Sequence, residues 1–261
     1  MYYQQYYIQS VKVSTIMRHD RIQKSIAAYR CGFISHIPAR LDFIQSASGL
    51  ILALFIVAHL LFEASILISK DAMLAVTHFF EGYYFFGESY PGIISFLAAA
   101  IFAIFILHAM LALRKFPSSY RQYRIFKSHA NNFKHIDTTL WLYQIITGFI
   151  MFFFGSIHLS LMMTQPDQIG PYASADRIVS EWMWPFYLIL LISVILHAFI
   201  GLYRLVLKWG IFVHTKKARN NLRKGLIAII IIYTLIGLMS LGQYMIIGYQ
   251  HMDKVGERYQ P

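Results

Sequence analysis

The chain has 261 residues, 57% of them hydrophobic and 13% charged, with a formal charge of +11. A soluble domain carries about 25% charged residues, and several apolar runs here exceed the roughly 18 residues that mark a membrane span. Composition therefore excludes a soluble protein, and it leaves room for one polytopic membrane domain.

Residues 1–40 hold no apolar h-region and no small-residue cleavage pattern, so they are read as a retained cytoplasmic segment rather than a signal peptide. The start is Tyr/Gln-rich, and no repeat of fixed period is visible. Five spans follow, over 43–68, 92–113, 138–163, 182–207 and 225–248. The predicted fold is all-α, a five-helix membrane domain over 41–250 with a tail at 251–261.

Lysine and arginine decide the orientation. Six precede the first span, six lie from Arg114 to Lys134, and seven lie from Arg204 to Lys224. Only Lys70, Arg177, Lys254 and Arg258 fall in the alternate segments. By the positive-inside rule the N-terminus is cytoplasmic and the C-terminus outside. The basic surface then faces anionic lipid or an acidic partner rather than nucleic acid. Cys31 is the single cysteine, so the chain has no disulfide framework, no CxxCH attachment and no cysteine-ligated cluster.

One histidine stands in each of the first four spans: His59, His108, His158 and His197. An ionisable group at such depth needs a partner or a task. The alternating direction of the spans puts His59 and His158 towards the outside and His108 and His197 towards the inside. Two pairs at two depths are the ligands needed for two haem groups held without covalent attachment. Gly148, Gly155 and His158 share one helical face, as do Ser193, His197 and Gly201, so a flat ring can approach the backbone. The residues alone also allow small residues that merely pack helices and four structural histidines bonded between helices. The remaining histidines (His19, His36, His78, His129, His135, His214 and His251) lie in polar segments and are expected to be solvated or interfacial.

Several runs resemble the single-chain, two-haem cytochrome b subunit of bacterial quinol:fumarate reductases. They include Gln45-Ser46-Ala47-Ser48-Gly49, Ser95-Phe96-Leu97-Ala98-Ala99, Leu113-Arg114-Lys115-Phe116-Pro117 and Asp137-Thr138-Thr139-Leu140-Trp141. Gly155-Ser156-Ile157-His158, Met162-Met163-Thr164-Gln165-Pro166 and Ser180-Glu181-Trp182-Met183-Trp184-Pro185 extend the likeness, which covers about 36–225. The resemblance implies a multi-pass subunit of the bacterial cytoplasmic membrane, working in anaerobic respiration. An iron–sulfur subunit and an FAD-containing flavoprotein would dock on its inner face, and the whole complex could pair as a dimer. Menaquinol would be oxidised near the outer face, with electrons passing through two haem b groups to fumarate. His59/His158 and His108/His197 map onto the axial ligands, and Gln45, Ser46, Trp141 and Lys208 onto inner propionate partners. No dicarboxylate site is expected in this chain.

Quinol oxidation releases protons, and the family has a glutamate acceptor where Glu81 stands. Read without the resemblance, Glu81 is an ordinary acidic residue in an aromatic interfacial belt. Some family members carry a second glutamate two residues before the fourth histidine, proposed to move protons with the electrons; here the position is Ile195. Glu63, one turn after His59, offers a second proton carrier, a relay to Glu81 or a residue reaching the outer interface. Without compensation, each electron moved inwards works against the membrane potential by about 2.3 kcal/mol per 100 mV. The same subunit type running in reverse, as a succinate:menaquinone dehydrogenase, is therefore the alternative. Two other classes are a cytochrome b of a hydrogenase or formate dehydrogenase, and a non-haem transporter, which would show broken helices.

Overall fold

The computed structural model describes residues 36–116, 119–132, 136–211 and 213–261. Cys31, His19, His135 and nearly all of the N-terminal segment lie outside the described residues, as does the side chain of His129. Five stretches are long and apolar enough to cross a membrane: Ile37–Leu67, Gly92–Leu113, Thr138–Thr164, Trp184–Trp209 and Lys216–Gln250. They belong to α1 (Ile37–Glu63, continued by a 3-10 turn), α4 (Gly92–Leu113), α6 (Ile136–Thr164), α8 (Trp184–Trp209) and α9 (Lys216–Gln250). No strand occurs among the described residues, as hydrocarbon demands of a chain that must satisfy its backbone internally.

The fifth helix starts well before the apolar run that predicts it. The Thr215 hydroxyl accepts from the Ala218 N–H at 3.1 Å, and the basic turns after this cap continue the helix into the interface. Four further helices escape the hydropathy reading: α2 (Lys70–Phe80), α3 (Tyr83–Phe86), α5 (Tyr120–Asn132) and α7 (Pro171–Val179). α3 is a single aromatic turn, and the other three are short and mixed in composition. Local chemistry starts them: Ser69 accepts from the Ala72 N–H at 2.9 Å, with Asp71 in the first turn favouring the positive end of the helix dipole. Pro171 opens α7, where its fixed φ suits the first turn.

Large apolar side chains such as Leu54, Phe96, Phe153 and Ile231 point outwards, the arrangement that lipid stabilises. Two buried clusters lie within. One joins Ile66, Met73, Ala175, Val179, Tyr244 and Ile247 from α2, α7, α9 and the turn after α1. The other joins Leu60, Val194, Ile195, Phe199, Tyr203 and Leu226. Gly248 sets how closely α7 meets α9: a Cβ there would lie 2.6 Å from Val179 Cγ2 and 2.7 Å from the Ala175 carbonyl oxygen.

One expectation is corrected. His251 is not solvated but 5% exposed. Its Nδ1 lies 3.0 Å from Asp176 Oδ1, and Tyr172 stacks on its ring at 4.0 Å. The tail folds back over this pair, with the Gly256 N–H donating to Asp176 Oδ2 at 3.0 Å and the Tyr259 hydroxyl to Asp71 at 2.5 Å. A histidine in a polar stretch is buried here because a carboxylate and an aromatic face await it.

Replacing Gly248 with valine is expected to destabilise the purified protein by about 1–3 kcal/mol through overpacking. Thermal unfolding in detergent measures this, and an unchanged midpoint would contradict the close approach.

Candidate functional site

A cavity of about 1210 Å³ runs between the helices and is lined by all four intramembrane histidines. That exceeds the roughly 300–1,000 Å³ of common small-molecule sites. His59 on α1 faces His158 on α6, with ring centroids 6.2 Å apart. His108 on α4 faces His197 on α8 at 6.5 Å. The structure therefore brings together the two pairs that span direction suggested.

The second pair is held by a repeated device. His108 Nδ1 lies 3.1 Å from the Gln45 carbonyl and 3.2 Å from Ser48 Oγ. His197 Nδ1 lies 2.9 Å from the Gln144 carbonyl and 3.4 Å from Thr147 Oγ1. An Nδ1–H that donates to a carbonyl leaves Nε2 as the free lone pair, the tautomer a metal-ligating histidine adopts. The next residue is glycine both times. A Cβ on Gly49 would stand 2.8 Å from His108 Cε1, and one on Gly148 would stand 3.0 Å from His197 Cε1. Gln45-x-x-Ser48-Gly49 and Gln144-x-x-Thr147-Gly148 are thus two copies of one imidazole seat, on α1 and α6. Gln144 and Thr147 escaped the sequence reading, although the matching spacing was there to find them.

At the other pair, Phe55 stacks on His59 at 5.4 Å, and Tyr187 meets the His158 ring edge-on at 5.8 Å. His158 Nδ1 is buried without a hydrogen-bond partner among the described residues. Four imidazoles in two facing pairs, two glycine cradles and an orphaned ring nitrogen fit bis-imidazole ligation of haem at two levels.

The His108/His197 level opens to a basic end. Lys208 Nζ donates to Ser46 Oγ at 2.8 Å, and Asp42 receives Lys115 at 2.8 Å, Arg114 at 3.2 Å and Lys208 at 3.4 Å. Gln45 and Trp141 line the same cavity as Ser46 and Lys208, and Arg204 bonds to the Gln144 side chain. The four expected polar residues therefore share one cavity, which Arg204 also lines, and Asp42 joins them through Lys208. Three cations around one carboxylate leave this end net positive.

At the opposite end the two expected carboxylates differ. Glu81, 7% exposed, follows α2 with its N–H donating to the Thr77 carbonyl at 2.9 Å, and it is not among the residues lining the cavity. Glu63 does line it and accepts from the Tyr244 hydroxyl at 3.1 Å. Sequence reading also missed Arg177 as a cavity residue. It is 3% exposed, lines the cavity, and donates to Gln165 and to the Gln168 carbonyl at 3.4 and 3.1 Å. Its Nε has no partner among the described residues.

This arrangement has relatives. A fumarate reductase cytochrome b subunit from Wolinella succinogenes is 50% identical over 84% of this chain and 86% of its own length. One from Helicobacter pylori J99 is 48% identical over 84% of this chain and 85% of its own. The sequence profile of the succinate dehydrogenase/fumarate reductase transmembrane subunit matches residues 120–238. The chain belongs to the fumarate reductase cytochrome b family. It is the membrane subunit of an oxidoreductase complex, a multi-pass protein of the bacterial cytoplasmic membrane. Family membership removes the transporter and the hydrogenase or formate dehydrogenase readings. The five unbroken spans agree, with Pro185 confined to the first turn of α8.

For a haem held by His108 and His197, Gly148→Val is expected to push the His197 ring out of its seat. The low-temperature reduced-minus-oxidised spectrum should then lose one haem and keep the other. Retention of both would refute the seat.

Proposed function

We propose that this chain is the quinone-reactive anchor of a menaquinol:fumarate reductase, with its N-terminus cytoplasmic and its C-terminus outside. The single observation that carries the reading is the pairing of His59 with His158 and of His108 with His197 along one cavity. Two haem b groups bound there would supply one-electron carriers across the bilayer.

The chain's own residues do the rest. The Gln45 and Gln144 carbonyls orient two of the imidazoles, and apolar walls keep water from the site. Gln45, Ser46, Trp141 and Lys208 are suited to carboxylates of a haem at the basic end. Arg177 is suited to one at the other end, because a buried cation without a carboxylate partner among the described residues is costly. Menaquinol would be oxidised at the outer end, where Glu81 accepts a proton and Glu63 stands on the cavity wall. The basic inner end, with its excess of Arg and Lys, would receive an iron–sulfur subunit joined to an FAD-containing flavoprotein. The proposed domain plan keeps a cytoplasmic segment over 1–40, the haem domain over 41–250 and the outer tail over 251–261.

One observation favours the reverse direction, succinate to menaquinone. Ile195 has no exposed surface and sits in the apolar cluster with Val194 and Phe199, so that position can hold no proton to accompany inward electrons. A complex that reduces fumarate faster than it oxidises succinate in sealed vesicles supports the first direction.

The experiment that tests the whole reading is haem b per copy of this chain in the purified complex. Two are expected, with His59→Ala or His158→Ala removing one spectral component and His108→Ala or His197→Ala the other. Two haems in any of these variants, or none in the wild type, would overturn the ligand assignment.

A further inference from the structure

Glu63 is the last residue of α1 and the one carboxylate among the described residues that lines the cavity. Tyr244, on α9 and 4% exposed, belongs to the apolar cluster with Ile66, Met73 and Ile247. Its hydroxyl nevertheless crosses to Glu63 Oε2 at 3.1 Å. No Lys, Arg or His among the described residues lies within ion-pair distance of the Glu63 carboxylate. The Glu63 carboxylate thus stands on the cavity wall with the neutral Tyr244 hydroxyl as its donor and one oxygen left for a proton-bearing ligand. The other titratable groups on the same cavity at this end are His59 on α1, His158 on α6, Arg177 on α7, Tyr187 on α8 and Tyr244 itself on α9; α2 contributes Met73, Val76, Thr77 and Phe80, none of them charged.

We infer that Glu63, held by the Tyr244 hydroxyl, accepts one of the two protons that a quinol gives up in this end of the cavity. This rests on the reading of the cavity as a quinol-oxidising site. For each quinol two O–H bonds break and the quinone forms. One proton goes to the Glu63 carboxylate and the other to Glu81, while two electrons leave through the protein towards fumarate, the oxidant. Glu63 then loses its proton to the outer solution, ready for the next turnover. Tyr244 is a positioning residue: its hydrogen bond fixes which carboxylate oxygen faces the cavity.

The test uses the whole complex in its purified, haem-loaded form, with a soluble menaquinol analogue as the electron donor. Glu63→Gln keeps the shape and can still accept from Tyr244, so the haem spectrum should stay unchanged. Quinol oxidation should fall about a hundredfold, in the range that removal of a proton acceptor produces. The infrared difference spectrum between quinol-reduced and oxidised complex should also lose one protonated-carboxyl band. In Tyr244→Phe that band should persist but move to higher frequency, because the carboxyl has lost a hydrogen bond. Wild-type turnover in Glu63→Gln, with every carboxyl band retained, would overturn the inference. If Glu63→Gln does not assemble, Tyr244→Phe decides: an unmoved band overturns the inference and a shifted one supports it. A wild-type complex that holds two haems yet oxidises no quinol would instead overturn the underlying reading.

Discussion

Each seat of the His108/His197 pair depends on the second lone pair of a helical carbonyl. The Gln45 and Gln144 carbonyls sit inside helices α1 and α6, and a carbonyl in a helical ladder still has one lone pair to offer. Residue i+4 of the same helix stands directly over that lone pair, so any side chain there blocks an approaching imidazole. Gly49 and Gly148 occupy i+4, and Ser48 and Thr147 at i+3 put a hydroxyl beside the ring. The glutamine side chain plays no part in the seat itself, which leaves that of Gln144 free to accept from Arg204. With Nδ1 so engaged in a medium without water, the ring orientation is fixed and Nε2 is turned to the cavity. The spacing of α1 from α4, and of α6 from α8, follows from this contact.

The spans and the histidine pairing were legible in the sequence because both follow from one-dimensional quantities, hydropathy and the direction of each crossing. The short helices were not. α2, α5 and α7 occupy stretches where apolar and polar residues mix, and hydropathy there carries no marker of a turn-by-turn pattern. α7 shows the cost of this most clearly. Asp176 and Arg177 stand in a short stretch between two spans, yet both are buried, one against His251 and the other on the cavity wall. The imidazole seat was legible in principle, since the glutamine, hydroxyl and glycine recur at the same spacing, but a five-residue likeness carries little weight until both copies are seen against a ring. Glu63 was visible as a lone acid in an apolar run. Its partner Tyr244 was not, because the two are 181 residues apart in the chain.

Charge is distributed unequally between the two ends of the cavity. At the basic end Asp42 is half-exposed among three cations, a network that water and salt screen and that contributes little to stability. Its consequence is a positive potential where an acidic partner or a haem carboxylate would arrive. At the other end Glu63 and Arg177 line the cavity, with the Tyr244 hydroxyl donating to Glu63 and Arg177 3% exposed. The first end presents net positive charge, and the second places one carboxylate and one guanidinium on an otherwise largely apolar wall.

The tail that ties Asp176 and Asp71 through His251, Gly256 and Tyr259 lies downstream of all five spans in the chain. During synthesis α2 and α7 emerge without these contacts, and their buried carboxylate stays unpaired until the fifth helix has been inserted. The clamp at this end is therefore the last part of the domain to close.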